Sequence, residues 1–160
     1  MTTPSPVRRA GAADLDALLD LRVLMFDAMG TPTDRLADPT WRDAAYRCFA
    51  DRMDDPRVRL VVAELDGEVV SGAVGEVTSL IPGPSCPNGS VGLISNVATL
   101  PHARGRGLAA ACTEALVAWF EDETDVTRID LFATEAGALI YRTRGFATSP
   151  FPAMRRAIPR

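Results

Sequence analysis

Between two apolar runs, Val91 to Leu100 and Leu108 to Phe120, stands the stretch Arg104-Gly105-Arg106-Gly107-Leu108-Ala109. The first run reads as a strand and the second, with apolar residues at helical spacing, as a helix. A glycine-rich turn at that junction leaves backbone N–H groups bare at a helix N-terminus. Those donors, with the positive end of the helix dipole, suit a phosphate or pyrophosphate. Gly105 and Gly107 allow open dihedrals and a close approach of the backbone to an anion. Arg104 and Arg106 add two fixed positive charges. The alternative is a tight basic turn with no ligand. The order of strand, glycines, arginines and helix favours the anion site.

Read as Gly105-x-Gly107-x-x-Ala110, the stretch also fits a loose dinucleotide fingerprint. That fold places its glycines directly after the first strand and needs further strand–helix units. Here Leu100 to Arg104 intervene, and only about fifty residues follow Gly107. They leave room for roughly one more strand–helix pair and a terminal hairpin. A nucleotide-dependent oxidoreductase is therefore disfavoured.

At 160 residues the chain predicts one domain, 1–160, with a sizeable core. No apolar run reaches membrane-span length, and Met1 to Arg9 lacks the apolar centre of a signal peptide. The expectation is a cytoplasmic protein with no membrane partner. The net charge of −4 argues against nucleic acid as partner. Cys48, Cys86 and Cys112 form no metal-type pair and read as reduced packing thiols. His102 is the single histidine, which disfavours zinc sites and histidine triads, so no metal is expected. All 17 basic residues are Arg, so no lysine is available for Schiff-base or general-base chemistry.

Val7 to Ala10 reads as a short first strand. Leu15, Leu18, Leu19, Arg22, Phe26 and Met29 share a helical stripe that Gly30-Thr31-Pro32 stops. Thr40 is a candidate N-cap for a second helix to about Met53, with Trp41, Ala45, Cys48, Phe49 and Arg52 on one side. Val58 to Leu65 and Glu68 to Val77 read as strands joined by an Asp66-Gly67 hairpin turn. Val91 to Thr99 is the next strand. Arg128 to Ala133 is another, and Glu135 to Thr143 is a short helix closed by Gly145. Phe146 to Thr148 and Ala153 to Ile158 read as two last strands.

This order, and two blocks within it, resemble the GNAT superfamily of N-acetyltransferases over nearly the whole chain. The first block is Asn96-Val97-Ala98-Thr99-Leu100-Pro101 followed by Arg104 to Ala109. There Arg104-x-x-Gly107-x-Ala109 is similar to the acyl-CoA signature. The second is Ala138-Leu139-Ile140-Tyr141-Arg142-Thr143-Arg144-Gly145-Phe146, similar to the family's helix ending in Tyr and then Gly-Phe. The resemblance implies an α/β (α+β) fold, with a mixed, mostly antiparallel central sheet flanked by helices. It implies transfer of acetyl from acetyl-CoA to a primary amine, on a small molecule or a peptide N-terminus, by direct attack in a ternary complex. It also implies a strand that splays at a bulge to admit the pantetheine arm.

Carried over by position, Val97, Ala98 and Thr99 would pair with pantetheine. Arg104, Gly105, Arg106, Gly107, Leu108 and Ala109 would hold the pyrophosphate. Tyr141 matches the family's acid for the departing thiolate; its alternative role is packing at a helix end. Where some members carry a Glu base on the strand before the turn, this chain has Leu93. Glu76 could lie beside it if the two strands pair antiparallel, and a solvated strand-end Glu is its alternative. A water chain held by Ser95 or Asn96 is another route for the proton. The missing strand carboxylate keeps open a non-catalytic acyl-CoA-binding regulatory module. The acceptor region draws on Phe26, Met29, Trp41, Phe151 and Pro152. Residues 1 to 56 hold ten Asp, no Glu and seven Arg, a mild acidity that would suit a cationic amine. Homodimer formation is left open.

Overall fold

The computed structural model describes residues 6–160. The first five residues of the segment read for a signal peptide lie outside them. Strand β1 (Val7–Arg9) leads into α1 (Leu15–Ala28), a single turn α2 (Thr33–Leu36) and α3 (Pro39–Arg52). Three antiparallel strands follow: β2 (Val58–Leu65), β3 (Glu68–Ser79) and β4 (Ser90–Thr99). Then come α4 (Leu108–Glu123), β5 (Arg128–Leu131) and α5 (Ala138–Arg142). The sheet order is β1-β2-β3-β4-β5, with only β4 and β5 parallel. The expected mixed, mostly antiparallel sheet flanked by helices is what the chain forms.

The sheet separates two apolar layers. Val61, Ala63, Ala73 and Ile94 face α4, where Cys112, Leu116, Trp119 and Phe120 are buried. Val58, Leu60, Val62 and Val74 face Leu15 and Leu18 of α1 and Phe49 of α3. Full burial of a side chain such as Phe120 stabilises by about 1.5–3 kcal/mol. The helices come close because the sheet is thinned at glycines. A Cβ on Gly92 would lie 2.8 Å from Phe120 Cε1, and one on Gly72 would lie 3.2 Å from Leu21 Cδ1.

Several sequence expectations change. Helix α3 is capped by Asp38, not Thr40: Asp38 Oδ1 accepts from Thr40 N at 2.8 Å, and Pro39 takes the first helical position. Asp followed by Pro is itself a strong start signal, because Pro needs no N–H partner there. Met29 lies past the end of α1 and is 60% exposed, so it is not part of the core stripe. Cys48 is exposed, while Cys86 and Cys112 are buried; all three are free. Burial pushes the Cys112 thiol up to about 11.

The two last strands do not form. Ala147 to Arg160 runs irregular and exposed. Pro150 and Pro152 lie in the connection between the two expected strands, and the edge strand β5 has only four residues to offer as a template.

Asp14, at the start of α1, is buried and accepts from Arg8 Nη1 at 2.7 Å, Arg8 Nη2 at 2.9 Å and Gly11 N at 2.7 Å. The Arg8 hydrogen bonds hold its carboxyl below the usual carboxylate range. A depressed folded pKa adds stability above the unfolded pKa of about 3.9, and that stability is lost as pH falls through the folded value. Asp14→Asn is therefore expected to lower urea stability at neutral pH by about 1–3 kcal/mol and to flatten its decline in acid. A wild-type urea midpoint at both pH values would show that the pair adds nothing.

Candidate active site

Strand β4 changes character halfway along. Val74 pairs with Ser95 and Gly72 with Ala98, so β4 uses one more residue than β3 over this stretch. The surplus falls at Asn96 and Val97, and Asn96 adopts φ +53°. Asn tolerates that left-handed region better than most residues. On its other edge β4 pairs with β5 only from Val91↔Arg128 to Ile94↔Leu131. Among the described residues no strand pairs with that edge from Ser95 to Thr99. Burial shifts at the same point: Ile94 is buried, and every residue from Ser95 to Leu100 is half-buried. A bulge, a lost neighbour and a gain in exposure coincide, which is the geometry of a splayed strand.

The open half is fixed from behind. Ser71 of β3 is fully buried; its Oγ lies 2.9 Å from Ala98 O, to which it donates, and 2.8 Å from Thr99 Oγ1. Sequence reading did not single out Ser71. A lone hydroxyl in the apolar run Val69-Val70-Ser71-Gly72-Ala73-Val74 was the available signal.

Beyond Thr99 a short turn, Pro101–Ala103, leads to the glycine loop. Arg104 Nε donates to Thr99 O at 3.3 Å. Gly105 and Gly107 sit at φ +75° and +74°. Gly107 precedes α4 directly, and no side chain caps the helix. The first helical bond runs from Ala111 N to Gly107 O at 2.9 Å. The N–H groups of Leu108, Ala109 and Ala110 thus have no acceptor within the helix. Arg104 to Gly107 are exposed. The loop is continuous with the open edge of β4.

Tyr141 lies on α5, which ends as expected at Gly145 with φ +86°. Phe146 N donates to Tyr141 O at 3.1 Å and Gly145 N to Arg142 O at 3.3 Å, a Schellman closure. Arg144 Nε, 2.9 Å from Glu114 Oε1, ties this segment to α4. The Tyr141 ring meets Phe146 edge-on at 6.0 Å, and its hydroxyl makes no hydrogen bond within the described residues. A tyrosine phenol is protonated at neutral pH, and burial pushes the pKa of this one further up. No hydrogen bond or ring contact joins Tyr141 to β4 or to Glu76.

Glu76 pairs directly with Leu93 across β3 and β4, the antiparallel neighbour that the sequence allowed. It is not a solvated strand-end residue, since β3 continues to Ser79. Its carboxylate forms an ion pair with Arg52 at the end of α3. Phe26 and Trp41, both half-buried, meet edge-on with ring centroids 5.8 Å apart. Phe151 and Pro152 are exposed, with no part in that wall. Among the described residues no group of His, Cys, Asp and Glu is placed to hold a metal ion, and no helix is long and apolar enough to cross a membrane.

The strand splays at a bulge and runs into an uncapped, glycine-led helix, an arrangement suited to an extended ligand that ends in an anion. The acetyltransferase (GNAT) family profile matches residues 18–146, and the chain belongs to that family. Acetyl-CoA-dependent acyl transfer is the reaction class of the family. A GCN5-related N-acetyltransferase from Ralstonia eutropha superposes with a TM-score of 0.83 at 27% identity, over 95% of this chain and 97% of its own. A predicted acetyltransferase from Clostridium acetobutylicum, solved with acetyl-CoA, gives 0.81 at 21% identity, over 94% of each chain. Glucosamine-6-phosphate N-acetyltransferase from Arabidopsis thaliana gives 0.69 at 16%, over 94% of this chain and 96% of its own. Among curated proteins, none matches the sequence significantly.

Proposed function

We propose that residues 1–160 form one domain that moves an acetyl group from acetyl-CoA to a primary amine by direct attack in a ternary complex. The observation that carries this reading is the continuous path from the open edge of β4 to the bare N-terminus of α4. The backbone of Val97, Ala98 and Thr99 offers a strand-like edge for the amide-bearing pantetheine arm. The N–H groups along Arg104, Gly105, Arg106, Gly107, Leu108 and Ala109, with the two guanidiniums, suit a pyrophosphate. Acetyl-CoA supplies an activated thioester carbonyl and a thiolate leaving group.

This chain's residues then have two proton tasks. The attacking nitrogen must lose a proton, and the departing sulfur must gain one. Tyr141, neutral at neutral pH and with its hydroxyl unengaged, is the donor to sulfur. The amine proton goes to Glu76, or through water beside Ser95 and Asn96. Glu76→Gln separates the two routes. A direct base leaves kcat/KM lower by ~10²-fold, with partial recovery at high pH, where free amine is abundant. An unchanged pH–rate profile removes Glu76 from the chemistry and assigns the proton to water or to an already neutral amine. The reading as a whole is tested by CoA release on a broad amine panel. Tight acetyl-CoA binding without amine-dependent release would leave only a binding module.

A further inference from the structure

Arg22 stands on α1 beside the bulge. Its Nη1 donates to Asn96 Oδ1, and its guanidinium lies 4.9 Å from the Phe26 ring centroid, with Trp41 edge-on behind that ring. Asn96 Nδ2 in turn donates to Ser95 Oγ at 3.1 Å. One end of the guanidinium therefore holds the extra residue of β4, where the open edge begins.

A guanidinium presents five N–H donors, and Asn96 takes one. No carboxylate of the described residues pairs with Arg22. Arg8, Arg52, Arg59, Arg128 and Arg144 each hold an Asp or Glu. Of these, Arg52–Glu76 belongs to the same candidate site, and there Glu76 is already held by Arg52. Asp16 and Asp20, which precede Arg22 on α1, line a different cleft with Arg8, Glu64 and Glu68, and Asp27 near the end of the helix is exposed. Arg22 is half-buried, and desolvation pushes its pKa down, though an arginine stays charged. A partly desolvated cation is normally paired, because the charge is expensive to bury alone. This one has an aromatic face and a positioning amide, and the titratable group that acts on it is the Cys48 thiol, not a carboxylate.

We propose that Arg22 is a specificity-determining residue that binds an anionic group, carboxylate or phosphate, carried by the acceptor beside its amine. The inference rests on amine acetylation as the reaction. It replaces the cationic acceptor suggested by the acidic N-terminal composition, since the charge presented at the bulge is positive. Phe26 and Trp41 would cover the acceptor's carbon skeleton, and the fork of Arg22 would take its anion in two parallel hydrogen bonds.

The test uses matched amines at saturating acetyl-CoA, compared per unprotonated amine. Amino acids are set against their amides, and O-phosphoethanolamine against ethanolamine. In the wild type, kcat/KM is expected to be at least about tenfold higher for the anionic member of one type of pair, the order of one charge-assisted hydrogen bond. The pair that shows the preference tells carboxylate from phosphate. In Arg22→Gln that ratio falls towards one through KM, and acetyl-CoA affinity is unchanged. Arg22→Lys keeps part of the preference. Equal or better use of the neutral members in every pair overturns the proposal, and that comparison needs only wild-type protein. An equal loss of kcat on both members in Arg22→Gln also overturns it, because Arg22 then only orients Asn96. If no amine is turned over although acetyl-CoA binds, amine acetylation itself falls. Turnover without charge preference leaves acetylation standing and removes the anion site alone.

Discussion

Replacing Gly107 by valine is expected to abolish measurable acetyl-CoA binding in a protein that remains folded. Gly107 has φ +74°, and it presents the first N–H groups of α4. A β-branched residue is a rare outlier in that left-handed region and would drag the turn towards negative φ. The strain is on the order of 1–3 kcal/mol. The loop would relieve it by rotating the peptide units whose N–H groups have to converge on a pyrophosphate. The fold should survive. Gly107 is exposed, and a Cβ there meets nothing within 4 Å. Isothermal titration with acetyl-CoA, beside a thermal melt of the same preparation, reads both halves of the expectation. Near-normal affinity in the valine variant would place the phosphates elsewhere.

Removing the Tyr141 hydroxyl is expected to lower kcat by ~10²-fold while leaving acetyl-CoA affinity in place. Ala138 and Tyr141 are three residues apart on α5 and share a side of that short helix. In the proposed reading Ala138, being small, would leave room for the pantetheine arm, and the phenol would reach the sulfur beyond it. As the C–S bond breaks, a thiolate leaves, and a neutral phenol within hydrogen-bond reach can protonate it. The phenol is neutral at neutral pH, with burial pushing its pKa further up, and its oxygen is not engaged by any other group of the described chain. Tyr141→Phe keeps the ring and its edge contact with Phe146 and removes only the proton. Loss of a contact made chiefly in the transition state lowers kcat and not ground-state binding. Steady-state kinetics and a direct acetyl-CoA titration on one preparation decide the matter. Wild-type kcat, in an assay limited by chemistry, would leave Tyr141 a packing residue.

The strands from Val58 to Thr99 were legible because alternation and the Asp66-Gly67 turn act over a few residues. The glycine loop and α4 were legible for the same reason, since φ +75° and +74° in the structure are what Gly105 and Gly107 make cheap. The bulge entered only through family resemblance, as no local pattern in Ser95-Asn96-Val97 demands an extra residue. Side-chain partners were the least legible part. Arg22 falls on the core-facing stripe by periodicity, yet its partner Asn96 is 74 residues away. Likewise Glu76 could be placed beside Leu93, but Arg52 reaches it only once α3 docks on the sheet. The two final strands failed for an opposite reason. Short β-prone runs at Phe146 and Ala153 had local propensity, and neither found an ordered edge to pair with.

The open edge of β4 and the loop from Arg104 to Ala109 are proposed to take an acyl-CoA together. Ligand-dependent thermal stability tests this most directly, on the intact chain with acetyl-CoA, CoA and NAD(P) in parallel. A ligand at ~100-fold over its Kd adds about 2.7 kcal/mol to the folded state. For a chain of this size that is a rise in Tm of roughly 5–10 °C. That rise is expected with acetyl-CoA and CoA, and no rise with NAD(P). A rise with NAD(P) alone would contradict it.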